Sequence, residues 1–208
     1  MTQTVANTAG VTGRWHDELS GQHRIVGLAD GEDIRAIEAA YRLHCRKVIS
    51  PRLFGRSEVI LGVAEQSGIP LPDGLIVDIE RLAEDELIRA VIQERLAGRP
   101  EQLAAALGDA VFLAAAALRA GYLHGCVAGA TRPTADVLRA GLRIVGLTPG
   151  LRTLSSAFLM VLPDGRTLTF SDCAVVPDPE PAQLADIALA ASATHRRLSG
   201  QAPVVAML

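Results

Sequence analysis

Lysine and cysteine are scarce in this chain of 208 residues, and no basic excess is present. Lys47 is the only lysine, so arginine supplies nearly all of the positive charge, and the net charge is −3 at pH 7. A nucleic-acid-binding protein is expected to carry a basic patch or stripe. The three cysteines, Cys45, Cys126 and Cys173, lie far apart and form no CxxC pair. This spacing predicts reduced, structural thiols in a cytoplasmic protein.

A long apolar run is also missing. The most apolar stretch, residues 103–118, is interrupted by Asp109, and a membrane-spanning helix needs roughly 20 apolar residues. The N-terminal sequence MTQTVANTAGVTGRW lacks the apolar core of a signal peptide. Hydrophobic residues still make up 49% of the chain, enough for a sizeable core. The composition therefore predicts a soluble protein that binds neither nucleic acid nor membrane.

Several motifs of cofactor and metal chemistry are absent. The first predicted strand is not followed by GxGxxG, and neither GxxxxGK[ST], HExxH nor GxSxG occurs. The five histidines are scattered, and none has a partner at metal-ligand spacing. We therefore predict no metal site and no bound cofactor.

Strand and helix patterns alternate along the chain, which is typical of an α/β fold. We predict strands at 24–29, 57–64, 74–79, 124–130 and 203–208, with the strand at 124–130 buried on both faces. Helices are predicted at 31–47, 86–98, 134–146 and 181–198, with one long or kinked helix pair at 98–121. Residues 153–176 are predicted to form a hairpin around Pro163-Asp164-Gly165. The N-terminal residues 1–22 are predicted to form a flexible tail. The loss of alternation near Gly150 predicts a boundary between a first domain (23–150) and the opening part of a second (151–208).

The segment GATRPTADVLR, residues 129–139, lies between a predicted strand and a predicted helix. Thr134 is placed as an N-cap, and free amides at a helix start attract anions. Arg139 and Arg143 lie one turn apart on one helix face. One interpretation is a cradle for an anionic ligand. The other is an ordinary cap with surface arginines, in which Asp136 pairs with Arg139 at i, i+3.

Two further places have the residue types of a site. Ser155 and Ser156 are small hydroxyl residues entering the hairpin, although strand serines are commonly satisfied by neighbouring backbone. The segment 30–33 with Arg35 forms an acidic turn after the first strand, although acids there also complement the helix dipole. The residues alone leave both alternatives open.

Three segments together resemble the phosphate acetyltransferase and phosphate butyryltransferase family, and phosphate acetyltransferase most of all. They are ADGEDIRAIEAA (29–40), GCVAGATRPTADVLRAGLRIVGLTPGLRTLSSAFLMVLPDG (125–165) and FSDCAVVPDPEPAQLADIALAASATHRRLSGQAPVVAML (170–208). The resemblance implies a three-layer α/β sandwich with a mainly parallel sheet, like that of isocitrate and isopropylmalate dehydrogenases. An incomplete second α/β domain follows it, with a cleft between the domains and a homodimeric assembly.

The family interconverts acetyl-CoA plus phosphate with acetyl phosphate plus CoA, so the resemblance implies these molecules as substrates and products. It also implies a set of residues that bind CoA or phosphate: Arg139, Thr134, Gly129, Ser155 and Ser156. A further arginine is implied before the alanine-rich helix, where Arg95 and Arg99 are both candidates.

The family's key serine, arginine and general-base aspartate match nothing before Leu208. The resemblance therefore implies a chain truncated at its C-terminus, with no catalytic residue of its own and little activity alone. A non-catalytic acyl-CoA-binding regulatory module is the alternative function, and an inert α/β scaffold is a third possibility.

Overall fold

The structure is a computed structural model that describes residues 9–207. The chain forms two compact units. We call Leu19–Gly146 the sheet unit, and we call Met1–Glu18 together with Leu147–Leu208 the hairpin unit. The predicted tail residues 1–8 and the predicted strand end at Leu208 lie outside the described residues.

The sheet unit alternates strands with helices. Its strands are β1 (Ile25–Leu28), β2 (Ser50–Gly55), β3 (Ile76–Asp78) and β4 (Gly125–Val127). Its helices are α2 (Ile34–Cys45), α3 (Ser57–Gln66), α4 (Ile79–Leu82), α5 (Glu86–Arg95), α6 (Pro100–Leu107), α7 (Ala110–Arg119) and α8 (Thr134–Ala140), which continues as a π-helical turn (Gly141–Val145). The hairpin unit holds α1 (Ala9–Leu19), β5 (Phe158–Val161), β6 (Thr167–Phe170) and α9 (Pro181–Ser199).

The four strands of the sheet unit form one parallel sheet in the order β3-β2-β1-β4. Successive side chains of a strand point to opposite faces, and β2 shows this directly. Leu53 packs in the apolar cluster with Ile37 of α2 and Ile60 of α3. Phe54 packs in the opposite cluster with Ile88 of α5 and Leu113 of α7. Helices therefore cover both faces of the sheet, and the predicted α/β fold with a mainly parallel sheet is confirmed.

Aspartates set the starts of several helices. Asp33, Asp85 and Asp109 are the N-caps of α2, α5 and α7, and each carboxylate accepts a bond from a first-turn amide. Asp78 serves two helices at once: it accepts from the amides of Glu80 and Arg81 in α4 and from the amide and hydroxyl of Ser57 in α3. Bonds led by the Ser57 hydroxyl lower the pKa of Asp78 to about 2. These caps satisfy donors that a helix start leaves unpaired.

The predicted strand at 57–64 is wrong. These residues belong to α3, in which Ile60 and Ala64 are buried four residues apart on one face. The preceding strand β2 was missed, because Pro51 lies inside it and proline ordinarily argues against a central strand. Pro51 nevertheless pairs in register with Val26.

Two other strand predictions also need correction. The strand at 124–130 is not buried on both faces: β4 is an edge strand, and Val127 is 59% exposed. Residues 203–207 form no strand, and Val204 is 99% exposed. An apolar, β-branched run does not become a strand unless it finds a pairing partner.

The hairpin unit contains the predicted hairpin and helix. β5 and β6 pair antiparallel across Pro163-Asp164-Gly165, where the amide of Gly165 donates to the carbonyl of Leu162. Helix α9 ends where predicted, at the left-handed Gly200. On one hairpin face Phe158 pairs with Phe170 and Met160 with Leu168, and all four side chains are exposed.

Residues 9–19, predicted as part of a flexible tail, form helix α1. The guanidinium of Arg14 donates to the carbonyls of Leu198 and Ser199, and Trp15 Nε1 donates to the Leu198 carbonyl at 2.8 Å. The last carbonyls of α9 have no partner within their own helix. Their hydrogen bonds with Arg14 and Trp15 help to hold α1 in place, and the local sequence of α1 alone does not reveal this.

Among residues 9–207, no single helix is long and apolar enough to span a membrane. Helices α6 and α7 reach such a length only together, and they are bent by 95° at the break between them. Most of α7 is buried in the sheet unit.

Candidate functional site

A cavity of about 690 Å³ opens in the sheet unit, at the edge where β1, β2 and β3 end. In an open parallel α/β sheet, ligands bind outside the carboxyl ends of the strands. Small or apolar residues form part of the lining, including Ala29, Gly31, Phe54, Gly55 and Gly108. Charged residues form much of the rest, including Asp30, Glu32, Arg56, Glu80 and Arg132. The volume lies within the range of small-molecule sites.

The glycines allow the backbone segments of this wall to approach closely. A Cβ on Gly31 would lie 2.6 Å from the carbonyl oxygen of Phe54, and the amide of Gly31 donates to that oxygen at 3.1 Å. A Cβ on Gly55 would lie 2.8 Å from Cγ of Glu32. The first turn after β1 can therefore lie directly on the end of β2 only because side chains are missing at these positions.

Glu32 and Arg56 form a bidentate ion pair on the cavity wall. Arg56 Nε and Nη2 lie 3.0 and 3.1 Å from the two carboxylate oxygens of Glu32, and the Arg56 amide donates to the same group at 2.9 Å. The hydrogen bond from the Arg56 side chain is the main cause that lowers the pKa of Glu32. Both carboxylate oxygens of Glu32 are therefore occupied.

The carboxylate of Asp30 is bound by the loop that follows β4. It accepts from the amides of Gly129, Ala130 and Thr131 at 2.8, 3.0 and 3.1 Å, and from the Thr131 hydroxyl at 2.5 Å. Partial burial raises the pKa of Asp30, but the bonds from Thr131, Ala130 and Gly129 outweigh it and lower the pKa overall. The amides at 129–131 therefore bind an anionic side chain of the protein itself, and the cradle for an anionic ligand stays a prediction.

Arg132, the next residue of this loop, lines the cavity. Its Nη2 lies 3.1 Å from Oδ2 of Asp109, and its side chain is 42% exposed. Asp109 is itself fixed as the N-cap of α7, where it accepts from the amide of Val111 at 2.8 Å.

The predicted ligand residues on α8 lie elsewhere. Arg139 pairs with Asp136 at 2.5 Å, as the ordinary-cap interpretation predicted, and does not belong to the cavity lining defined by the described residues. Thr134 is exposed and is the first residue of α8 rather than its N-cap. Pro133 takes the N-cap position without a side-chain bond, so the predicted Thr134 cap is wrong.

Ser155 and Ser156 belong to the hairpin unit. The amide and hydroxyl of Ser156 both donate to Asp172, and the Ser156 hydroxyl accepts from the amides of Cys173 and Ala174. Burial raises the pKa of Asp172, but bonds led by the Ser156 amide outweigh it and lower the pKa. In this structure Ser156 is a fixed part of the loop after β6.

The two arginine candidates before the alanine-rich helix differ in position. Arg95 Nε donates to the carbonyl of Arg143 at 2.9 Å, which ties α5 to the π-helical turn. Arg99 is the N-cap residue of α6 and is exposed. Neither contributes to the cavity lining as the described residues define it.

The sequence did not single out Arg56 and Arg132 as site residues. Neither residue could have been assigned to the cavity from the sequence alone. Arg132 reaches it because β4 pairs beside β1, which brings the loop at 129–132 next to the turn at Asp30. Arg56 is positioned by strand β2, which was not recognised.

Comparison with known proteins gives a consistent result. The family model described as "Phosphate acetyl/butaryl transferase" matches residues 13–208. The chain is 36% identical over 187 residues to a phosphate acetyltransferase of Nitrosomonas europaea, covering 89% of this chain and 26% of the relative. It is 37% identical over 202 residues to a phosphate acetyltransferase of Treponema pallidum, covering 90% of this chain and 58% of the relative.

A crystal structure of a phosphotransacetylase from Streptococcus pyogenes superimposes with a TM-score of 0.85 at 26% identity, over 93% of this chain and 60% of that one. The chain thus spans between about a quarter and three fifths of the length of these relatives. The match nevertheless runs through both units and nearly the whole sequence. The chain belongs to the phosphate acetyl/butaryl transferase family.

Proposed function

We propose that this protein acts in acetyl transfer between CoA and phosphate, forming acetyl phosphate and CoA from acetyl-CoA and phosphate. The observation that carries the proposal is the family match over residues 13–208, together with relatives named phosphate acetyltransferase. The cavity at the carboxyl ends of β1, β2 and β3 supports it, because it offers guanidinium groups for phosphate oxygens.

The ligand residues given by the resemblance are part of the proposal. Arg139 is exposed at the end of α8, within reach of solvent, and its partner Asp136 is a single half-buried carboxylate that a phosphate can replace. Gly129 acts through its amide, which holds the loop onto Asp30. Thr134, Ser155 and Ser156 remain proposed CoA or phosphate contacts on the resemblance.

The 208 residues are not expected to complete the reaction alone, because the family's serine, arginine and general-base aspartate match none of them. Loss of such groups costs about 10²–10⁴ in rate for each. The test is a thiol-release assay with acetyl-CoA and phosphate. It is run on the chain alone and with a second polypeptide carrying the part of the Treponema pallidum enzyme that this chain does not match.

Thiol release that needs both polypeptides supports the proposal. Family-like turnover by the chain alone would contradict the assignment of the catalytic groups. Binding of acetyl-CoA without turnover in either mixture would favour the second function, a non-catalytic acyl-CoA-binding module.

A homodimer and a cytoplasmic location complete the proposal. The resemblance implies the dimer, and the exposed apolar side chains of Phe158, Met160, Leu168 and Phe170 are compatible with an interface. Light scattering after gel filtration measures the assembly state directly.

A further inference from the structure

Arg132 is held at the cavity wall from two sides. Its main chain directly follows the amides of residues 129–131, which are bound by Asp30. Its guanidinium lies against Asp109, which the first turn of α7 fixes in turn. An arginine fixed in this way loses less conformational entropy on binding a ligand than a free surface arginine does.

The guanidinium of Arg132 has hydrogen-bond donors to spare. An arginine side chain carries five N–H donors, and the contact with Asp109 is made through Nη2 at 3.1 Å. Within residues 9–207, the bonds of Arg132 include no second side-chain acceptor. Arg56 differs, since both its Nε and its Nη2 are engaged by Glu32.

The carboxylates that line the cavity differ in whether their oxygens already accept hydrogen bonds from other groups. Asp30 is satisfied by four loop donors, and Glu32 is satisfied by Arg56. Asp33, which also lines the cavity, is paired with Arg35 through both carboxylate oxygens. Glu80 is exposed and lines the same cavity. A negatively charged ligand is therefore attracted by the Arg132 guanidinium and repelled by Glu80.

We propose that Arg132 binds a phosphate group in the cavity of the sheet unit. A planar guanidinium matches the oxygens of phosphate and can bind two of them at once. The inference rests on the proposed function for the choice of phosphate over other anions. The group belongs either to free phosphate or to CoA, and the chemistry at Arg132 is the same in both cases.

Calorimetric titration of the whole 208-residue chain with inorganic phosphate, and separately with CoA, tests the proposal. We expect Arg132→Ala to weaken binding of the phosphate-bearing ligand by about tenfold or more, because a charge-assisted bond is lost. Arg132→Lys keeps the charge but loses the planar guanidinium that can bind two oxygens at once, so it should recover only part of the affinity for the phosphate-bearing ligand. Glu80→Gln removes the opposing charge and tightens binding by about twofold. Arg42→Ala is the matched control, since Arg42 forms a single exposed ion pair with Glu38 on α2.

Weaker phosphate binding with unchanged CoA binding identifies free phosphate as the ligand, and weaker CoA binding identifies a phosphate of CoA. Unchanged binding of both ligands in Arg132→Ala would overturn the inference, as would a wild-type chain that binds neither. If only Arg139→Ala weakens CoA binding, the inference fails while the proposed function stands. If Arg132→Ala does not fold, protection of Arg132 from phenylglyoxal by phosphate, read by peptide mass spectrometry on the wild-type chain, decides the same question.

Discussion

The carboxylate of Asp30 accepts hydrogen bonds from both the amide and the hydroxyl of Thr131, at 3.1 and 2.5 Å. Thr131 belongs to the loop after β4, whereas Asp30 follows β1. The contact thus joins the ends of two neighbouring strands across about a hundred residues of sequence. Because Gly129 and Ala130 donate to the same carboxylate, an external anion cannot use these amides while Asp30 occupies them.

Replacing this carboxylate should loosen the loop. Asp30→Asn keeps the shape but replaces one carboxylate oxygen by an NH2 group that faces two of the four loop donors, so those two donors lose their acceptor. We expect the amides of residues 129–131 to exchange with deuterium about tenfold faster or more. Asp85→Asn is the control, because asparagine caps a helix nearly as well as aspartate and Asp85 caps α5. Equal exchange at 129–131 in both variants would contradict the role assigned to Asp30.

The same carboxylate should make the loop sensitive to acid. The pKa of Asp30 is lowered in the folded chain from its ordinary value of 3.8. Its contribution to stability is therefore fully present above pH 3.8 and is lost as the pH falls through the lower folded pKa. Exchange protection at 129–131, corrected for intrinsic rates, should persist from pH 7 down to that region and then fall. Asp30→Asn should show no such step, and a wild-type step near neutral pH would contradict the assignment.

The sequence predicted the α/β class, the helices with clear 3.6-residue spacing and the hairpin, because these depend on local patterns. Helix α2 and the turn at Pro163-Asp164-Gly165 are examples. The predictions failed where a distant partner decides the structure. Ser57 starts a helix because Asp78, 21 residues away, caps it, and the carbonyls of α9 order α1.

The candidate site was predicted less well than the fold. For the segment 129–139 the sequence left an anion cradle and an ordinary cap as alternatives. Its amides at 129–131 bind the Asp30 carboxylate, and Asp30 could not be identified as their partner without knowing that β4 lies beside β1. The pairing of Asp136 with Arg139 followed from helical spacing alone. Arg132 carried no periodic signal, and only the folded loop shows that it lines the cavity.

The double cap at Asp78 should make this residue more important for stability than a single cap. Asp78→Ala removes acceptors from both α3 and α4. Asp85→Ala removes the cap of one helix, α5, together with the long contacts from the Tyr122 hydroxyl at 3.3 and 3.4 Å. One cap contributes about 1 kcal/mol. Urea denaturation should therefore show a loss of about 2 kcal/mol for Asp78→Ala and about 1 kcal/mol for Asp85→Ala. Equal losses would show that Asp78 caps only one helix effectively.

Gly31 should tolerate no side chain, because the first turn after β1 lies directly on β2. A Cβ there would lie 2.6 and 2.7 Å from the carbonyl oxygen and the amide nitrogen of Phe54. These are backbone atoms of a central strand, so they cannot rotate away as a side chain would. Gly31→Ala is expected to cost about 1–3 kcal/mol in unfolding free energy, the usual range for overpacking.

Gly62→Ala provides the matched comparison. Gly62 lies inside α3, and a Cβ there would meet nothing within 4 Å. Alanine favours a helix interior over glycine by about 0.5–1 kcal/mol, so this variant should be more stable than the wild type. In one urea denaturation series, glycine to alanine should thus lower the free energy of unfolding at position 31 and raise it at position 62. If Gly31→Ala were neutral, β2 would have to move away from the turn, and the wall that carries Glu32 and Arg56 would not be as rigid as the close contact indicates.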